Sequence, residues 1–220
     1  MKNYEAQIAA AKEKFEAVLR SQLERNEKIT SDKEDTDFSA LDKIVIGICG
    51  GDGIGPIITD SAKKVLEYIL ADEIVKGRIE FNVIDGLTIE NRVAHMQAIP
   101  DDVMAELKKC NVILKGPTTT PKKGDPWPNI ESANVAMRKA LDLYANVRPV
   151  RVPEEGIDWT FFRENTEGSY AVGSQGVAVT DELSVDFCIT TTEGTERIAK
   201  AAFEYARKNK KGKVSIITKG

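Results

Sequence analysis

The sequence predicts an α/β fold built on a largely parallel sheet. Two observations carry that expectation: strand-type segments, apolar at 44–49 and 112–114 and alternating at 79–83, and helix-period apolar patterns between them. A third is the turn chemistry, because a glycine-rich stretch follows the first run and a Gly-Pro-Thr stretch follows the last. In such sheets ligands gather at the carboxyl ends of the strands, where both turns fall.

The 220 residues suffice for one large domain or two small ones. With 41% hydrophobic and 30% charged residues, the chain has the make-up of a soluble globular protein. A net charge of −4 and a pI near 5.3 disfavour nucleic acid as the main partner. Any anion site must then be a local positive pocket. Cys49, Cys110 and Cys188 are odd in number and widely spaced, which fits a reduced, cytoplasmic protein and offers no zinc site. No apolar run approaches membrane-spanning length and no signal peptide is recognisable, so no membrane partner is expected. His95, in the polar stretch 90–97, reads as a surface histidine.

The first forty-odd residues differ in kind. Tyr4, Ile8, Ala11, Phe15, Val18, Leu19 and Leu23 recur at helical spacing, so 4–23 is read as an amphipathic helix packing on the body or on a partner. Residues 26–42 read as a polar linker. The body begins with the strand 44–49, which runs into Gly51-Asp52-Gly53-Ile54-Gly55-Pro56. That spacing is GxGxG with Pro56 where a Rossmann fingerprint needs its third glycine, so a tight strand-to-helix turn is preferred to phosphate binding. The next helix carries Ile58, Ala62, Val65, Leu66 and Ile69, with Pro56 in its first turn. A strand at 79–83, a short helix from Asp101 or Asp102 to near Cys110, and a strand at 112–114 follow. Beyond Tyr170 come β-type pieces at 171–179 and 185–192, a helix at 193–208 and a last strand at 213–218.

The chemistry concentrates between 131 and 170. Ser132 reads as a helix N-cap, and Asn134 and Arg138 share a face at i and i+4. Arg148 lies in the apolar run 144–152, and Arg163 follows the aromatic run 159–162. Three arginines, a hydroxyl and an amide suit a small substrate with several carboxylates, since arginine meets a carboxylate with two parallel donors. Three ordinary surface arginines are the alternative reading.

These pieces carry a resemblance. GDGIGP (51–56), KGPTTTP (115–121), SANVAMRKALDLYANVRP (132–149), RENTEGSY (163–170) and TEGTERIAKAAFEYAR (192–207) resemble, in collinear order, the decarboxylating β-hydroxyacid dehydrogenases. That is the isocitrate, isopropylmalate and homoisocitrate dehydrogenase family. Ser-x-Asn and RENTEG are most similar to isocitrate dehydrogenases, especially the NAD-dependent kind, because isopropylmalate enzymes usually carry apolar residues at Ser132 and Asn134. The resemblance implies an isocitrate/isopropylmalate dehydrogenase-like α/β fold. Its parts would be a helix and linker at 1–42, the first part of a large domain at 43–143, and a smaller α/β domain at 144–220 with a β arm at about 169–193.

The resemblance also implies roles. Ser132 and Asn134 would hold the distal carboxylate of isocitrate, and Arg138, Arg148 and Arg163 its other carboxylates. Tyr170 would supply a proton after decarboxylation. Lys219 would assist proton transfer in a neighbouring subunit's site. Thr119 and Thr120 would lie near the nicotinamide of NAD or NADP. The implied activity is oxidative decarboxylation of isocitrate to 2-oxoglutarate, a tricarboxylic acid cycle reaction, with Mg²⁺ or Mn²⁺. The metal-binding aspartates are expected beyond Lys219, so this chain is expected not to turn over substrate alone. A homodimer or a complementing C-terminal chain is the expected partner. The other implied readings are a non-catalytic tricarboxylate-binding or regulatory subunit, and a 3-isopropylmalate or homoisocitrate dehydrogenase.

Overall fold

A computed structural model describes residues 4–31, 36–173 and 175–218, and divides into two compact units. One is Asp35–Leu141; the other joins Met1–Glu34 to Asp142–Gly220. The N-terminal helix α1 (Glu5–Ser31) belongs to the second unit. It continues eight residues past Leu23, where a linker is expected, because nothing in 24–31 breaks a helix and Arg25 is anchored by an ion pair to Glu167.

The unit Asp35–Leu141 is the α/β body. In chain order it runs β1 (Ile44–Cys49), α2 (Gly55–Ile69), α3 (Ala71–Val75), β2 (Ile79–Val83), α4 (Ile89–Ala94), α5 (Asp101–Lys108), β3 (Val112–Lys115) and α6 (Ala133–Ala140). The three strands form one parallel sheet in the order β2–β1–β3. The crossovers α2–α3 and α4–α5 are the expected companions of parallel pairing. Ile44, Ile46 and Ile48 pair with Ile79, Phe81 and Val83, which sets the register.

The core is formed by Cys49, Ile84, Leu87, Ile99, Val103, Leu107, Ala133 and Met137. Ala133 and Met137 are one helical turn apart, so this buried pair fixes the rotation of α6 about its axis. Burying a methionine side chain contributes about 1.5–3 kcal/mol, enough to hold a helix of two turns in place. The face of α2 read from its periodicity is largely uncovered instead: Ile58, Val65 and Ile69 are exposed, as are Ile57 and Tyr68. These side chains form an apolar patch on the surface of the described residues.

The second unit continues with β4 (Ala145–Val152), β5 (Ile157–Glu164), α7 (Ser169–Val172), β6 (Val177–Thr180), β7 (Leu183–Val185) and α8 (Thr192–Lys208). β4 and β5 form an antiparallel hairpin, and β6 and β7 form another. On one face of the first hairpin Phe162 packs its ring 5.2 Å from Tyr205 of α8, and Thr160 Oγ1 donates to the Tyr205 hydroxyl. α1 rests on this unit through Phe15 stacked on Phe187, Lys14 Nζ donating to the Gly176 carbonyl, and Arg25. Val18 is its buried anchor.

Two expectations change here. Of the β-type pieces expected at 171–179 and 185–192, residues 171–172 belong to the helical turn α7, since Gly168 at positive φ redirects the chain at the end of the RENTEG stretch. In the second piece only Val185 lies in a strand, with Ile189 in an isolated bridge to Gly168. Residues 213–218 form no strand: a strand exists only with a hydrogen-bonding neighbour, and none of the described residues supplies one. Among the described residues no helix is long and apolar enough to cross a membrane.

Candidate functional site

In the α/β body the two turns singled out in the sequence interlock. Asp52 N–H donates to the Pro117 carbonyl at 2.8 Å, and Gly116 N–H donates to the Cys49 carbonyl at 2.8 Å. Gly51 takes φ +71°, and a Cβ there would overlap the Pro117 carbonyl oxygen. A Cβ on Gly116 would overlap the carbonyl oxygen of Gly50. The close approach that these glycines allow is therefore taken up by backbone on backbone. That agrees with the tight-turn reading and leaves no phosphate cradle of the dinucleotide-binding kind there.

Asp52 braces the assembly. Its Oδ2 accepts from Thr119 N–H at 2.6 Å, and its Oδ1 accepts from Ile89 N–H at 2.8 Å. Opposite it lies Arg92, 0% exposed, whose guanidinium donates to three carbonyls: Ala98 at 2.7 Å, Thr119 at 2.7 Å and Glu131 at 3.0 Å. Thr119 is thus held at both its N–H and its carbonyl, while Thr120 beside it is exposed.

Ser132 caps α6 through its backbone, but its hydroxyl makes no capping bond. Ser132, Asn134 and Arg138 are half-buried, and among the described residues their side chains form no hydrogen bond or ion pair. Groups poised in this way can meet an anion without first breaking a partner. Lys115, at the end of β3, is a residue the sequence reading missed. Its Nζ donates to the Gly116 carbonyl at 2.6 Å and to Thr118 Oγ1 at 3.3 Å. Burial, aided by the Arg92 and Arg138 charges, holds it below the ordinary lysine value, while Cys49 and Asp52 oppose the shift. Its signal was a charged residue directly continuing a buried strand. The cations Lys115, Arg92 and Arg138 give this end of the sheet a local positive field within a net-acidic chain.

In the second unit, Arg148 and Arg163 lie on one face of the β4–β5 hairpin. Asn146 is opposite Arg163 and Arg148 is opposite Phe161, so the two arginines are diagonal neighbours. Such neighbours lie about 7–8 Å apart, with their Cβ atoms somewhat closer. Because the other face carries Phe162 and Thr160 against α8, the arginine face is open: Arg148 and Arg163 are both exposed. Arg148 Nε donates to Asn146 Oδ1 at 2.9 Å, which orients its fork. Arg163 Nη2 donates to the Tyr170 hydroxyl at 2.5 Å, and the guanidinium lies 5.1 Å from the ring centre.

The RENTEG stretch that positions Arg163 and Tyr170 closes on itself. Glu164 accepts from the N–H groups of Thr166 and Glu167 and from the Thr166 hydroxyl. Glu167, buried, accepts from Thr191 N–H and Oγ1 at the start of α8 and from Arg25 of α1. Arg197 ties Thr166 to Asp142. So the loop has few ways to move.

The structure brings together Thr119, Ser132, Asn134 and Arg138 in one unit and Arg148, Arg163 and Tyr170 in the other. Lys219 lies outside the described residues. Among the described residues no group of three or more His, Cys, Asp or Glu side chains could hold a metal ion, so this residue set does not fit a divalent cation by itself.

Comparison with known proteins completes the picture. A family model described as isocitrate/isopropylmalate dehydrogenase matches residues 45–220. Isocitrate dehydrogenase [NADP] of Haloferax volcanii is 32% identical over 88% of this chain and 52% of its own length. Isocitrate dehydrogenase [NAD] regulatory subunit 1, mitochondrial, of Arabidopsis thaliana is 36% identical over 77% of this chain and 43% of its own. The crystal structure of isocitrate dehydrogenase from Methylococcus capsulatus superposes with TM-score 0.59 at 31% identity, covering 76% of this chain and 48% of that one. The chain spans about half the length of the curated relatives it matches.

Proposed function

The chain belongs to the isocitrate/isopropylmalate dehydrogenase family, and from that premise we propose that it carries the substrate-gripping residues of an isocitrate dehydrogenase. The observation that supports this most is the open hairpin face with Arg148 and Arg163 side by side and Tyr170 against Arg163. Two forks on one open face suit a ligand with more than one carboxylate, and Arg138, in the other unit, is a further fork of the same kind. Ser132 and Asn134 would take the distal one.

In this reading the whole protein oxidises the hydroxyl carbon of isocitrate, and NAD or NADP, when bound, accepts the hydride. Loss of carbon dioxide from the resulting β-keto acid leaves an enolate. The fixed arginines stabilise the remaining charge, Tyr170 delivers a proton to the carbon, and Lys219 assists from a second subunit. Thr119 and Thr120 would border the nicotinamide. Mg²⁺ or Mn²⁺ would need ligands from outside the described residues. A cytoplasmic homodimer acting in the tricarboxylic acid cycle completes this proposal, as does absence of turnover by these 220 residues alone.

A second reading is favoured by one finding, the similarity to a chain named a regulatory subunit. Here the carboxylate grip serves sensing, with catalysis elsewhere. Thermal-shift ranking of isocitrate, homoisocitrate and 3-isopropylmalate tests the ligand: isocitrate should stabilise most, and preference for 3-isopropylmalate would overturn it. A coupled assay of NAD⁺ and NADP⁺ reduction after mixing with an aspartate-bearing partner chain separates the two readings.

A further inference from the structure

Arg92 is fully buried, yet its hydrogen bonds go to carbonyls and not to a carboxylate: one N–H each of Nε, Nη1 and Nη2 donates to Ala98, Thr119 and Glu131. These belong to three separate segments, the connection into α5, the turn after β3 and the residue just before Ser132. A buried guanidinium is costly to desolvate, and a methionine or leucine would fill the same space at less cost. What only arginine supplies here is a rigid planar fork that fixes three backbone segments at once. On the far side of Thr119, Asp52 accepts its N–H, so the peptide units flanking Thr119 are clamped from both ends.

We propose that Arg92 is a positioning residue that locks the Thr119 turn to the start of α6, so that the place of Ser132, Asn134 and Arg138 and the place of Thr119 are set jointly. Neither segment can shift without taking the other with it. A ligand held by α6 is thereby felt at Thr119, some 13 residues earlier in the chain. The ligand part rests on the substrate reading above; the mechanical part does not.

The test uses the 220-residue chain and two readouts. Arg92→Lys keeps the charge but replaces the planar fork by a single nitrogen, which cannot hold all three carbonyls in their places. Amide exchange in the absence of ligand should rise at least about tenfold at both Thr119, whose N–H goes to Asp52, and Ala136, whose N–H goes to Ser132, relative to Ile84 in the sheet. Leu107→Ala, a destabilised core control, should raise all three alike. Isocitrate affinity of folded Arg92→Lys should fall about fivefold or more, whereas the control should bind like wild type. Asp52→Asn is the second variant, in case Arg92→Lys does not fold. It loosens Thr119 directly and, through Arg92, should raise Ala136 exchange as well. Exchange rising at Thr119 alone, or unchanged affinity with both segments loosened, would overturn the proposal. If wild type binds no isocitrate, the substrate reading fails while the exchange readout still decides the clamp.

Discussion

Arg163 and Tyr170 are held as one unit, the guanidinium donating to the phenol oxygen at 2.5 Å and leaning over the ring at 5.1 Å. Seven residues apart, they meet because Glu164 folds the intervening turn back on itself and Gly168 at positive φ redirects the chain into α7. A guanidinium and a phenol hydroxyl are thus delivered together on one edge of the hairpin.

This pairing predicts a split between two substitutions. Arg163→Ala should weaken isocitrate binding roughly tenfold to a hundredfold, the worth of a charged hydrogen-bonded contact of about 1.5–3 kcal/mol. Tyr170→Phe should change affinity by less than about fivefold, because an exposed contact of this kind contributes under ~1 kcal/mol. Titration calorimetry of the two variants checks this, and equal losses would contradict the assignment.

Arg25 links α1 to the same loop through Glu167 and Thr166. Arg25→Ala leaves the buried Glu167 carboxylate with Thr191 but without its cation. Stability should drop by about 1–3 kcal/mol, and α1 amides should exchange faster. Urea titration and exchange mass spectrometry measure both. Unaltered α1 protection would mean that Phe15 and Val18 hold the helix without help.

Gly116→Ala should lower the stability of the α/β body by about 1–3 kcal/mol, because the new methyl overlaps the Gly50 carbonyl where the two turns cross. A shifted urea midpoint with an unchanged slope is the expected result.

Burial, followed by the Cys110 charge, pushes the Cys49 thiol up from 9.0 to about 11. A raised folded-state value means that folding favours the protonated thiol. Its contribution is complete below pH 9 and is lost as pH rises through 11. Urea midpoints should fall across that window, and Cys49→Ala should flatten the fall. Iodoacetamide near neutral pH should label exposed Cys188 while leaving Cys49 unmodified.

The strands of the body were legible because one is a short apolar run closed by a glycine turn and another alternates apolar with polar residues: Ile44–Cys49 and Ile79–Val83 have the boundaries expected. α6 was legible because Ser132 opens it and Ala133 and Met137 face the core. Arg92 gave no signal, sitting in a polar stretch where burial depends on carbonyls 6, 27 and 39 residues along the chain. Residues 24–31 misled because polarity alone does not end a helix, and 213–218 because a strand-like composition makes no strand without a neighbour. The diagonal of Arg148 and Arg163 needed the hairpin register, which sequence spacing does not contain.

The most direct measurement is calorimetric titration of the folded 220-residue chain with isocitrate, with and without Mg²⁺, beside Arg138→Ala. Saturable binding that is indifferent to Mg²⁺ and weakened at least about tenfold by Arg138→Ala is the predicted result. No binding by the folded chain, or binding that Arg138→Ala leaves unchanged, would contradict the assignment of these arginines to a carboxylate-bearing substrate.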